Sequence, residues 1–208
     1  MGSAINTEGP PHSAVRIAGS VDRERVATML ARAFADDPGM SWIFPDPEDR
    51  ARRLVRLFAL LFDEDAAGMR LVAGEGAAAT LWRAPGMAKT GTLRLLGQAW
   101  PLWRALGSKI PRALSVSNAV EAHMPTGDFW YLHLAGCDPA AQGRGLGALV
   151  VRAGLQRVAG RFPAYLETST ERNLGFYGAI GFQVTKEWRV PGGGPRFWSM
   201  MRQPDPLS

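Results

Sequence analysis

Among the 208 residues there is one cysteine, Cys137. No internal disulfide can form, so a reducing compartment is the expectation. No apolar stretch approaches the roughly 18 residues that a membrane-spanning helix needs. Residues 1–14 also lack the apolar core of a signal peptide. Asn6 stands where the myristoylation pattern requires Ser or Thr. The expectation is therefore a cytoplasmic protein with no membrane partner. The three histidines, His12, His123 and His133, are scattered, and no Cys/His/Asp cluster has metal-ligand spacing, so no metal is expected. Lys and Arg number 24 against 19 Asp and Glu, a formal charge of +5. That balance suits an anionic ligand. No basic run is dense enough, or interleaved regularly enough with aromatics, to suggest a nucleic-acid partner.

What is present is the composition of an ordinary globular protein, 46% hydrophobic and 21% charged. Residues 1–14 are small, polar and Pro-rich and read as a disordered tail, and residues 15–203 read as a single domain. After a short strand in "VRIAG", Val26, Met29, Leu30, Ala33 and Phe34 fall on one helix face, and the pattern stops at Asp37-Pro38-Gly39. Asp46 and Pro47 open a second helix with a stripe of Leu54, Leu57, Phe58, Leu61 and Phe62. Two strands follow around a turn at Glu75-Gly76. Residues 88–126 read as helical, broken at Pro101 and Pro111. Then come a strand in "DFWYLHLAGC", a helix over 143–160, a strand in "PAYLETS", a short helix over 171–180, and a strand pair across "PGGGP". Helices first, then alternating strand and helix, predict an α/β (α+β mixed) fold with a central mixed twisted sheet and helices on both faces. The strand–helix–strand over 130–168 should be a parallel crossover.

The most informative stretch is "CDPAAQGRGLGALV". A glycine loop that leads from a strand into a helix offers unpaired first-turn N–H groups and the positive end of the helix dipole to an anion. Gly143-x-Gly145-x-x-Ala148 matches a dinucleotide-binding fingerprint literally, with Glu167 near the distance expected of the ribose-binding acid. That fingerprint begins at the strand end, however, and here residues 138–142 intervene. A P-loop is excluded, because no Gly-Lys-Ser/Thr follows.

Gln142-Gly143-Arg144-Gly145-Leu146-Gly147 resembles the Gln/Arg-x-x-Gly-x-Gly/Ala loop of the GCN5-related N-acetyltransferase (GNAT) superfamily. "LETSTERNLGFYGAIGF" resembles the second cofactor segment of the same superfamily, at the right spacing. The resemblance is nearest to the puromycin N-acetyltransferase-like members. It runs through "AFADDP", "DPAAQGRGLG", "PAYLETSTERNLGFYGAIGF" and "VPGGGPRFWSMMR", and is weakest over 88–126. It implies a GNAT fold with splayed parallel strands at an acetyl-CoA site. The activity implied is transfer of the acetyl group to a primary amine by direct attack in a ternary complex. It also implies that Gln142 to Ala148 hold the coenzyme A pyrophosphate and that Ala135, Gly136 and Cys137 line its pantetheine arm. Asn173, Phe176 and Tyr177 complete the cofactor contacts, and Tyr177 is the general acid near the thiolate. The alternative is a non-catalytic acyl-CoA-binding sensor domain.

Acetyl transfer to an amine needs a base, because an alkylamine with a pKa near ~10.4 is charged at neutral pH. His133 is the best candidate by residue type, and by strand alternation it should face away from Leu132 and Leu134. Glu167, at the end of the next strand, is the rival. It could equally orient His133 or hold substrate. Asn173 and Tyr177, four apart, share one helix face, while Phe176 and Ile180 should pack into the core. Phe34, Asp37 and Trp42, with Asp36 beside them, lie where the family builds its acceptor wall, and acids beside aromatics suit a cationic amine. The expected partner is a small-molecule amine, and a homodimer is left open.

Overall fold

The computed structural model describes residues 15–88 and 99–204; the tail expected over residues 1–14 lies outside them. A seven-stranded sheet has the order β1-β2-β3-β4-β5-β7-β6. Its strands are β1 (Arg16–Ile17), β2 (Arg70–Ala73), β3 (Ala78–Arg83), β4 (Trp130–Cys137), β5 (Ala164–Thr168), β6 (Gln183–Arg189) and β7 (Arg196–Arg202). All pairings are antiparallel except β4 with β5, the expected parallel crossover. The last hairpin folds back so that β7 lies between β5 and β6.

Helices cover both faces. On one, α1 (Arg23–Ala33) and α3 (Pro47–Glu64) bury Val26, Leu30, Leu54, Phe58 and Phe62 against Val72, Leu81 and Leu134. On the other, α6 (Leu146–Arg157) buries Val151 and Leu155 against Trp82, Leu132 and Leu166. Leu81 and Trp82 are adjacent on β3, so their membership of different clusters is the period-two alternation of a strand. The start of α3 follows from its sequence: Asp46 caps it by accepting from Asp49 N–H at 2.6 Å, and Pro47 occupies the first turn. No helix among the described residues is long and apolar enough to cross a membrane.

Three expectations change. First, Pro111 starts a helix instead of breaking one: it is the second residue of α5 (Ile110–His123), which follows α4 (Ala99–Leu106). First-turn N–H groups have no helical partner, so proline loses nothing there. The interruption falls instead on the turn Gly107–Lys109, where Gly107 has a φ of +53°. Second, α1 ends before Phe34, and the Asp37-Pro38-Gly39 stop is itself the start of a short helix, α2 (Pro38–Ile43). Third, α6 and the last helix, α7 (Asn173–Gly178), are shorter than expected.

Gly154 sets how closely α6 approaches the sheet. A Cβ there would lie 2.6 Å from the Nε1 and Cζ2 atoms of the fully buried Trp82. Gly154→Ala should lower the unfolding free energy by about 1–2 kcal/mol, the overpacking cost less the gain in helix propensity. Gly175→Ala in α7, with open space around the added carbon, should be neutral or stabilising. Urea unfolding of the two variants checks the contrast.

Candidate active site

The two halves of the sheet are joined at one place. β4 and β5 pair only at Trp130↔Ala164 and Tyr131↔Tyr165. Beyond that point β4 stays with β3 as far as Ala78↔Cys137, and β5 stays with β7 as far as Thr168↔Trp198. The strands therefore part, leaving the later residues of β4 on one arm of an opening and those of β5 on the other. Gly136 lets α1 close over the β4 arm, since a Cβ would meet Leu30 at 2.6 Å and Ala33 at 3.3 Å. Ala135 packs toward the α6 side. Burial pushes the Cys137 thiol up, with the Asp138 charge adding and Arg144 opposing. That direction favours the thiol over the nucleophilic thiolate.

The glycine loop lies on the α6 side. Asp138 caps the short turn Pro139–Ala141 and pairs with Arg32 of α1. Gln142, Gly143 and Arg144 are exposed, while Leu146 is buried in the core and Ala148 packs against it. Gly143 and Gly145 have φ of +78° and +77°, a conformation that costs an L-residue about 1–2 kcal/mol. Gly145 is the N-cap of α6, and no side chain caps the helix. Its first-turn N–H groups are thus available to an anion, with the dipole behind them. Gly147, in the first turn of α6, has Cys137 and Phe176 each 3.9 Å from where a Cβ would stand.

On α7, Asn173 Nδ2 donates to Thr168 Oγ1 at the end of β5 (3.1 Å). Tyr177 is buried beside Phe176 and Phe182, with ring centroids 5.0 and 5.9 Å away. Burial alone pushes its phenol up to about 12. The expected division of this helix holds only in part: Ile180 is in the core as expected, but Tyr177 joins it there and Phe176 is 38% exposed. The helix ends at Gly178, so Ile180 is no longer one turn above Phe176 on a shared face.

A second group of polar side chains occupies the opposite face of the opening. Here the register between β3 and β4 slips, with Leu81 facing Leu134 and Trp82 facing Leu132. His133 is the extra residue of a β-bulge. The bulge breaks the expected alternation, since Leu132 packs with α6 and Leu134 with α1 and α3. His133 Nδ1 is 2.7 Å from Asp65 Oδ2, and Arg83 Nε donates to Asp65 Oδ1 at 2.6 Å. The Asp65 side chain is completely buried. Desolvation would raise its carboxyl, but His133 and Arg83 together hold it below the usual range. Tyr131 lies beside His133, ring centroids 5.4 Å apart.

Glu167 stands on the β5 arm, two residues beyond the Tyr131↔Tyr165 pair. Burial pushes its carboxyl up to about 7, opposed by the hydroxyls of Tyr131 and Tyr165 and by Arg83. Its Oε1 atom is buried and closes no hydrogen bond among the described residues. The Tyr165 hydroxyl instead bonds Ser199 Oγ (2.9 Å), which also accepts from Trp188 Nε1 (3.0 Å).

Of the expected acceptor wall, Asp37 is tied to the chain itself. It caps α2 through Met40 N–H (3.0 Å) and accepts from Ser169 Oγ (2.5 Å), just past β5. Phe34 packs on Phe58 and against Gly136. Trp42 lies under the Arg112 guanidinium, beside α5 and the last hairpin. Asp36 is exposed. Asp65, Arg83, Tyr131 and Tyr165 carried no local signal: Asp65 is 68 positions from His133, and only the end of α3 brings it there.

No protein-family model matches the sequence. Among solved structures, a protein described as histone acetyltransferase HPA2 and related acetyltransferase from Corynebacterium glutamicum superposes with a TM-score of 0.66 at 23% identity, over 94% of this chain and 98% of that one. A polyamine N-acetyltransferase from Drosophila melanogaster gives 0.60 at 18% identity, over 91% and 99%. Arylalkylamine N-acetyltransferase 2 from Aedes aegypti gives 0.57 at 14%, over 92% and 99%. At these identities the likeness establishes the fold, which is that of the GNAT acetyltransferases.

The raised Glu167 carboxyl has a consequence for stability. A carboxyl near 7 in the folded state and near ~4.3 unfolded holds its proton on folding. This contribution is complete below the unfolded value and is lost as pH rises through about 7. Glu167→Gln should remove that loss. Relative to the parent, the variant should gain on the order of 2–3 kcal/mol between pH 4.5 and 8. Denaturant unfolding at the two pH values checks this, and parallel changes in the two proteins would contradict it.

Proposed function

We propose that the protein is an acetyl-CoA-dependent N-acetyltransferase that acetylates a primary amine of a small molecule by direct attack in a ternary complex. The observation that carries this reading is the parting of β4 and β5 between two chemically different faces. On the α6 side lie the uncapped helix N-terminus and the glycine loop. On the other lies a buried carboxyl near 7 with an unpaired oxygen. The likeness to polyamine and arylalkylamine acetyltransferases supports an amine acceptor. The motif resemblance supports membership of the puromycin N-acetyltransferase-like group.

The residues fit acetyl-CoA. Residues 142–148 hold its pyrophosphate through backbone N–H groups. Ala135, Gly136 and Cys137 offer strand-edge groups to the pantetheine arm, with Asn173 and Phe176 facing them from α7. When bound, the thioester supplies the activated acetyl group. Glu167 takes the proton of the incoming ammonium, because a base near 7 is ionised at working pH yet stronger than an ordinary carboxylate. A β4 N–H donates to the carbonyl oxygen as charge develops on it. Tyr177, whose phenol keeps its proton far above neutral pH, donates to the leaving sulfur. Phe34, Asp37 and Trp42 form or support the acceptor wall.

Release of free thiol from acetyl-CoA, measured over aminonucleosides, arylalkylamines, polyamines and peptide N-termini, tests the activity. Binding of acetyl-CoA without thiol release on any of them would make the protein an acyl-CoA-binding module instead. For an active amine, kcat/KM should rise with pH to a plateau above about 7, the pH at which Glu167 loses its proton. Glu167→Gln should abolish that limb and lower kcat by about 10²-fold or more. Tyr177→Phe should lower kcat while leaving the limb in place.

A further inference from the structure

We propose that Asp65 is a positioning residue, acting through His133 on the acceptor amine. The inference rests on the acetyltransferase reading and adds a residue that no motif marks. Asp65 is the C-cap of α3, its N–H bonded to Leu61 C=O at 3.1 Å, so the last turn of the helix fixes its backbone. Its side chain is fully buried, and each carboxylate oxygen is committed. Oδ1 accepts from Arg83 Nε at 2.6 Å, and Oδ2 faces His133 Nδ1 at 2.7 Å. Arg83 is itself braced by Ala88 C=O (3.1 Å) and Glu64 (3.6 Å). Arg83 alone would neutralise the carboxylate, so the second bond has a separate consequence.

An ionised carboxylate only accepts hydrogen bonds. The nitrogen facing it must therefore carry the proton, and a neutral imidazole then has its lone pair on Nε2. Nε2 makes no hydrogen bond among the described residues, and the His133 side chain retains 15% of its exposure. The β4 bulge turns this ring to the face shared with Tyr131, whose hydroxyl also approaches Glu167 on the opposite arm. The primary amine thus meets two acceptors from the two parted strands. Glu167 takes one proton, and Nε2 accepts a hydrogen bond from a second N–H, which aims the nitrogen lone pair. Asp65 never touches substrate; it sets which nitrogen of His133 is the acceptor. The imidazole is flanked by Asp65 at the end of α3 and Tyr131 of β4, with Arg83 of β3 bonded to Asp65 and Glu64 of α3 paired with Arg83.

Asp65→Asn keeps the size but offers one oxygen to two donors. With ¹⁵N-labelled histidine, long-range NMR correlation should show His133 as the Nδ1–H tautomer in the parent and a mixture in Asp65→Asn. The same variant should raise KM for the active amine about tenfold and leave KM for acetyl-CoA within twofold. In a His133→Ala background, adding Asp65→Asn should change the amine KM by less than twofold, because the pathway through the ring is already gone. A structural role alone would lower stability equally in both backgrounds and leave the tautomer and the KM split unmoved. An unchanged tautomer, an unchanged amine KM, or additive effects with His133→Ala would overturn the proposal and leave the acetyltransferase reading standing. Absence of transfer to every amine would remove that reading and this proposal with it, whatever the tautomer.

Discussion

The rest of the structure depends on the short parallel seam between β4 and β5. Only two residue pairs join the halves of the sheet, and each arm beyond the seam is satisfied on its outer side by an antiparallel neighbour. Backbone groups of a strand point alternately to its two edges, so those on the outer edge of each arm are paired while those facing the gap have no strand partner. β3 holds β4 to its last residue and β7 holds β5 to its last residue. The backward fold of the terminal hairpin, which places β7 inside β6, is what makes the second commitment possible.

From that seam the site divides into two chemistries. The α6 face has positive-φ glycines, an uncapped helix end and a phenol raised by burial. The α3 face has carboxylates, an imidazole and two tyrosines. The strands keep the two sets apart, and the opening is where they meet. Burial acts on both carboxyls, but the Arg83 guanidinium and the His133 ring bonded to Asp65 hold it below the usual range, whereas Glu167, opposed chiefly by tyrosine hydroxyls, rises to about 7. Their opposite shifts follow from that difference in company, since both are carboxyls shielded from water.

Local chemistry made much of this legible in the chain. Asp46-Pro47 announced α3, Gly143 and Gly145 announced a loop that only glycine adopts easily, and the strand–helix–strand order announced the parallel crossover. Where local reasoning went astray, a short-range rule met a boundary that it could not see. Pro111 looked like a break because its position in a first turn depends on where the helix begins. Phe176 and Ile180 looked like one face because the helix was taken two residues too far. His133 looked opposed to both Leu132 and Leu134 because alternation assumes a strand without a bulge.

Composition, periodicity and the two glycine- and tyrosine-bearing segments by themselves determined the fold class, the glycine loop at a helix start and the presence of Tyr177 and Glu167 near the ends of adjacent elements. Those features are written in residues a few positions apart, within the reach of helix and strand periods. Only the tertiary structure decided which carboxylate is neutralised, which nitrogen of His133 is free and which face of the last helix is buried. Each of those depends on residues brought together from distant parts of the chain, such as Asp65 and His133, and on a desolvation that no single segment possesses until the sheet has closed around it.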